Sequence, residues 1–115
     1  MKVASRQIGD AVVVDLSGRI TLGEGTAEVR DTVEQLAGKG HKQLVLNLAR
    51  VTQIDSSGFD ELVSVAADLR QQGGELKLLN LSNKVRDTLQ ITKLYTTFDV
   101  SDNEATAVAA FSKAA

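Results

Sequence analysis

Leu44-Val45-Leu46-Asn47-Leu48, separated by five residues from Ile54-Asp55-Ser56-Ser57-Gly58, decides how this chain is read. An apolar run without helical period reads as a buried strand, and Asp-Ser-Ser-Gly offers several caps for a helix that starts at once. Phe59, Leu62, Val63, Ala66 and Leu69 then mark the buried stripe of a helix, while Asp60, Glu61, Asp68, Arg70 and Gln71 fall mainly to solvent. Gly73-Gly74 ends that helix and Glu75 to Leu79 is the next strand. Residues 43 to 79 therefore form a strand-helix-strand unit with parallel strands and a right-handed crossover. Sites in such sheets form outside the carboxyl ends of the strands, where crossover helices begin, which is where Ser56 and Ser57 lie.

Around this unit the chain supplies further elements. Val3 to Ile8 and Ala11 to Leu16 read as antiparallel strands joined at Gly9-Asp10, and Gly18 breaks the second one. A helix is expected from Thr26, with Ala27, Val29 or Arg30, Val33, Leu36 and Ala37 on its apolar stripe and Gly38-Lys39-Gly40 at its end. Gln43 to Leu48 is the central strand, and Ala49 to Gln53 reads as a short connection. Ser82 can cap a third helix carrying Val85, Leu89 and Ile91, and Thr97 to Val100 reads as a short strand. Ser101-Asp102-Asn103-Glu104 has capping-box spacing ahead of a last helix that buries Ala107, Val108 and Phe111. The expected fold is α/β: a mixed sheet of about four to five strands with about four helices, in one domain over residues 1–115.

Composition narrows the function. The chain has 43% hydrophobic and 24% charged residues, which is ordinary for a globular protein, and its net charge of −2 with scattered Lys and Arg speaks against nucleic acid. No cysteine is present, so thiol nucleophiles and thiolate metal sites drop out. No apolar run reaches transmembrane length, and Met1 to Arg6 lacks the apolar middle of a signal peptide, so a cytoplasmic protein without a membrane role is expected.

The helix start is the chemically interesting place. Unpaired N–H groups and the positive end of the helix dipole suit a phosphoryl group, which adds roughly −1.5 to −2 charges at pH 7. Asp55, Asp60 and Glu61 already bring negative charge there, so a phosphate on Ser56 would tax any covering partner with repulsion and desolvation. Capping is the commoner role for these four letters taken alone. Catalysis finds little support: His41 is the only histidine and lies before the central strand, and Ser56-Ser57-Gly58 is not the G-x-S-x-G elbow. Asp55, Asp60 and Glu61 read as cap and first-turn dipole partners rather than metal ligands, no cofactor is called for, and no Gly-rich loop precedes a Lys for nucleotide. A receiver-type phosphoaspartate at Asp55 would need further acids after a first strand, and Val12 to Ser17 offers only Asp15, within the strand.

Taken together, Leu44 to Leu48, Val51 to Gly58 and Gly73-Gly74-Glu75-Leu76-Lys77-Leu78-Leu79-Asn80-Leu81-Ser82 resemble the STAS domains of bacterial anti-sigma factor antagonists. Asn83 to Leu89, Ile91 to Leu94 and Phe98 to Val100 continue the resemblance, which covers nearly the whole chain. It implies a non-enzymatic switch in transcription regulation. The unphosphorylated domain binds an anti-sigma factor that is also a serine kinase, and a serine phosphatase restores the form the kinase has modified. The phosphoacceptor would be Ser56. Asp55 and Ser57 would be flanking contact and capping residues, Gly58 would allow close approach, and Phe59 and Asp60 would complete the partner surface. A monomer or weak dimer is expected. The other use of the family, an unphosphorylated assembly or regulatory subunit of a transporter or lipid-transport complex, is the alternative. Two departures stand out: Ser57-Gly58-Phe59-Asp60 replaces the family's usual Ser-Gly-Leu-Gly, and Lys93 takes the place of a glycine before Leu94.

Overall fold

In the computed structural model, which describes residues 1–91 and 98–113, the apolar run lies at the centre of a five-stranded sheet ordered β1-β2-β3-β4-β5. The strands are β1 (Lys2–Ile8), β2 (Ala11–Ile20), β3 (Gln43–Ile54), β4 (Glu75–Leu79) and β5 (Asp99–Ser101). β1 and β2 pair antiparallel, and every later neighbour is parallel. Four helices accompany them: α1 (Thr26–Gly38), α2 (Ser56–Gln71), α3 (Asn83–Ile91) and α4 (Glu104–Lys113).

The crossovers α1, α2 and α3 each join neighbouring parallel strands. With a single handedness, all three must fall on the same face. There Leu44, Leu46 and Leu48 meet Val33, Phe59, Leu62, Leu69, Val85 and Leu89 in one core. α4 follows the last strand and covers part of the opposite face, where Val13, Val45 and Leu79 pack on Ala107 and Phe111.

Two expectations change. β3 does not end at Leu48 but continues beside β2 to Ile54, so Ala49 to Gln53 is strand rather than connection. Asp15 pairs with Asn47 and Ser17 with Arg50, then Gly18 with Val51 and Arg19 with Gln53, so β3 carries an extra residue at each of two bulges. The bulges turn Leu48, Val51 and Ile54 inward at a spacing of three, which hides the strand's period of two. β2 likewise passes through Gly18, whose φ of 121° accommodates the irregularity, and ends at Ile20.

The second change concerns α4. Its cap is Asn103, whose Oδ1 accepts from the Thr106 N–H at 2.9 Å, because Ser101 is taken up by β5 and its Oγ accepts from the Asn103 N–H instead. The Ser82 cap is present, with Ser82 Oγ accepting from the Val85 N–H at 3.2 Å. On α2, Val65 is buried where Val63 is only partly so. Thr92 to Thr97, including the Lys93 departure, and the Ala-rich end from Ala114 lie outside the described residues, as does the burial of Ile91.

One buried charge needs an account. Lys77 points to the α4 face of β4, 4% exposed, with its ammonium against Glu75 and Asp99 and 5.0 Å from the centre of the Phe111 ring. Burial by itself lowers the Lys77 pKa, but the Asp99 and Glu75 carboxylates outweigh it and hold the ammonium above its ordinary range. Both acids keep much of their surface in water, so losing the lysine strands no buried charge. Lys77→Met should therefore unfold in urea within about 1 kcal/mol of the parent. A loss above about 3 kcal/mol would mean that the ion pairs themselves hold the α4 face together.

Candidate functional site

Ile20 and Ile54 are paired at the carboxyl ends of β2 and β3, so the two chain segments that leave the sheet there emerge side by side. The first is the Thr21 to Gly25 loop that leads into α1, and the second is Asp55 at the head of α2. Asp55 is extended and caps the helix, its Oδ1 accepting from the Gly58 N–H at 2.8 Å. Its other oxygen, Oδ2, accepts from the Leu22 N–H at 3.1 Å. One carboxylate thus fastens both loops. These N–H donors, Gly58 first and Leu22 second, hold the Asp55 carboxyl below the usual carboxylate range.

Ser56 is the first residue of α2 and is exposed; no hydrogen bond is recorded for its hydroxyl among the described residues. Ser57 is half-buried beside it. An oxygen on Ser56 therefore lies in solvent at the positive end of a 16-residue helix, next to a carboxylate already engaged by backbone N–H groups. Phosphorylation there would disturb no core contact.

The remaining expected site residues divide. Gly58 and Phe59 are buried, and Phe59 is 0% exposed within the main core, so its side chain has no access to a partner. Gly58 is needed for a different reason from close approach by a partner: a Cβ there would overlap the Ile20 carbonyl oxygen and crowd Ile54. The glycine lets α2 start tight against β2. Asp60 is exposed on the Ser56 side, one turn along α2. Glu61 does not contribute to the acidic surroundings of Ser56, because it pairs with Arg30 of α1. Arg30 also reaches Asp68 at 3.1 Å and Glu34 at 3.2 Å and donates to the Ser64 hydroxyl, so α1 occupies that flank of α2. What stays open on α2 is the side bearing Ser56, Asp60, Ala67, Arg70 and Gln71.

Sequence reasoning missed Leu22 and Arg30 as parts of this arrangement. Arg30 had a signal, a cation at an otherwise apolar helical position; Leu22 had none, since its role depends on the loop pairing. His41 precedes β3, at the end of the strand away from Ser56, and so offers no base. Among the described residues no group of three or more His, Asp or Glu side chains could hold a metal ion, and no helix is long and apolar enough to cross a membrane.

A mixed sheet that presents a serine at the start of the helix after its central strand defines a class of protein. The STAS domain family model matches residues 2–107, and the chain belongs to the STAS family, in its anti-sigma factor antagonist branch. It is similar, at 32% identity over 99% of this chain and 97% of the relative, to BtrV of Bordetella bronchiseptica, a protein provisionally named an anti-sigma factor antagonist. Among solved structures, TM1081 of Thermotoga maritima shares the fold with a TM-score of 0.83 and 20% identity over 92% of this chain and 91% of that one. The anti-sigma factor antagonist SpoIIAA of Bacillus does so in its unphosphorylated and phosphorylated forms. Their TM-scores are 0.70 and 0.69 at 18% and 20% identity, covering 97% and 96% of this chain and 98% and 99% of those chains.

Two outcomes check the geometry. Phe59→Ala should cost about 3–5 kcal/mol in urea unfolding, as an emptied core site does, whereas Asp60→Ala should change stability by less than about 0.5 kcal/mol. The depressed Asp55 pKa means that its contribution to stability is fully present above the unfolded value, near pH 4, and is lost as pH falls through the folded one. The stability gap between wild type and Asp55→Asn should hold steady above about pH 5 and narrow below about pH 4 in pH-dependent thermal melts. A gap of constant size down to about pH 2 would show that the Asp55 charge does not contribute.

Proposed function

We propose that the chain is a single STAS domain over residues 1–115 that works as a phosphorylation-controlled antagonist of an anti-sigma factor. In this reading the unphosphorylated protein docks its Ser56 edge and the open side of α2 onto an anti-sigma factor that is itself a serine kinase, and the sigma factor is released. Phosphorylation of Ser56 ends the complex, and a serine phosphatase restores the docking form. The protein acts in the cytoplasm as a monomer or weak dimer and has no catalytic step of its own.

The observation that carries this reading is the position of Ser56: exposed, its hydroxyl without a hydrogen bond among the described residues, at the first position of α2 and flanked by the Asp55 clasp. A kinase can reach the hydroxyl without unfolding anything. The phosphate adds about −1.5 to −2 charges beside Asp55 and Asp60, on the surface a partner must desolvate. A penalty of only ~3 kcal/mol weakens a complex more than a hundredfold, so no large conformational change is needed. The similarity to BtrV and the existence of SpoIIAA in two phosphorylation forms support the same mechanism.

The test is intact mass with site mapping after incubation with ATP and the serine-kinase anti-sigma factors encoded in the same genome, together with two variants. One phosphate on Ser56 is expected. Ser56→Asp should lose binding at a melting temperature within a few degrees of wild type, since the helix dipole tolerates the charge, and Ser56→Ala should bind without being switched off. Failure of every such kinase to modify the protein, with co-purification of transporter components instead, would replace this reading by that of an assembly subunit.

A further inference from the structure

Leu22 is 79% exposed, and with Val3 it is one of two large apolar side chains left in solvent among the described residues. Single exposed apolar side chains are common and imply nothing alone. Leu22 differs in how it is held. Thr21 and Glu24 exchange both backbone hydrogen bonds, at 2.7 and 2.9 Å, which closes a tight turn with Leu22 and Gly23 at its tip. Gly23 has a φ of 78° while Leu22 does not, so the second central position carries the left-handed geometry that favours glycine. The Leu22 N–H is tied to Asp55, and the turn's far end is set by Gly25, where a Cβ would overlap the Arg19 carbonyl oxygen.

The leucine is thus displayed on a fixed backbone, tethered to the residue that precedes Ser56. A partner that buries it does not have to order the loop, which removes one of the usual costs of binding. The loop and the two helix starts beside it are mainly acidic: Glu24, Glu28 and Asp60 are exposed and the Asp55 carboxyl is held below its usual range, with Arg19 an exposed cation at the end of β2. A complementary surface has an apolar socket rimmed by Lys and Arg. This matches the anatomy of an interaction anchor, an apolar group at the centre with charges around it.

We propose that Leu22 is the apolar anchor by which this protein docks on its serine-kinase anti-sigma factor, seating in a basic-rimmed apolar socket of the kinase and so delivering Ser56 to the phosphorylation site. The inference rests on the function proposed above and adds a docking contact separate from the phosphoacceptor. Leu22 touches neither ATP nor the reacting hydroxyl, so its contribution is to binding, and its loss raises KM while leaving kcat in place.

The experiment measures binding to the purified kinase with a non-hydrolysable ATP analogue, and phosphorylation kinetics with ATP, for wild type, Leu22→Ser, Leu22→Met and Ser56→Asp. Leu22→Ser should bind about tenfold to a hundredfold more weakly and raise KM by a similar factor, with kcat within about twofold and an unchanged melting temperature. Leu22→Met, of similar volume and polarity, should stay within about threefold of wild type. If Leu22→Ser binds like wild type while Ser56→Asp loses binding, the anchor is wrong and the switch stands. An equal fall in kcat and kcat/KM for Leu22→Ser would also overturn the anchor, because it would place the residue in the transfer step. If wild type binds no serine-kinase anti-sigma factor of its genome, the function and the anchor fall together.

Discussion

The Asp55 carboxylate is the contact on which the candidate site depends. It spends one oxygen on the Gly58 N–H at the head of α2 and the other on the Leu22 N–H in the loop from β2. A helix cap is a local device, set by residues three apart, whereas the bond to Leu22 spans 33 positions and exists only because β2 and β3 end together. The same group therefore starts a helix and assembles a surface from two crossovers. Gly58 makes this possible by leaving room for the Ile20 carbonyl, so that α2 begins against the end of β2 rather than a side chain's width away.

Around that clasp the fold separates two kinds of chemistry. Residues that position the site face inward: Ile20, Ile54, Gly58 and Phe59 are all buried. Those available to a partner face outward: Ser56, Asp60 and Leu22. A change made on the outward set alters the surface without touching what holds the domain together. The Arg30 cluster serves the same separation by drawing Glu61 and Asp68 toward α1 and away from the open side of α2.

The two faces of the sheet solve different problems. Three crossover helices of one handedness leave the opposite face bare, and α4 covers part of it with Ala107 and Phe111. Beside that apolar patch the strands carry polar side chains that satisfy one another and the start of α4. Arg6 donates to Asp15 and to Glu104 of α4, Asn47 donates to Asp15 at 2.8 Å, and Asn80 donates to Asn47 at 3.2 Å. The Arg6 guanidinium is the main reason the Asp15 carboxyl sits below its ordinary range. A chain of internally paired groups lets that part of the sheet stand in water without an apolar cover.

The residues by themselves determined the parallel unit of β3, α2 and β4, the place of Asp55 as a cap and of Ser56 at the helix start, because strand runs, helical periods and caps are set by near neighbours. Phe59 was legible as the first member of the buried stripe of α2, and the packed core removes it from the partner surface to which it was also assigned. Gly58 was legible as a first-turn residue but not as core, since a four-residue motif does not say which of its members faces the sheet. Only the tertiary structure decided that β3 runs on to Ile54, because its bulges answer to the register of β2 and leave no period in the letters. It alone turned Glu61 to Arg30 and brought the Leu22 turn to Asp55. These contacts join residues more than thirty positions apart, and such pairs form only when parallel strands bring the starts of their crossovers to one edge of the sheet.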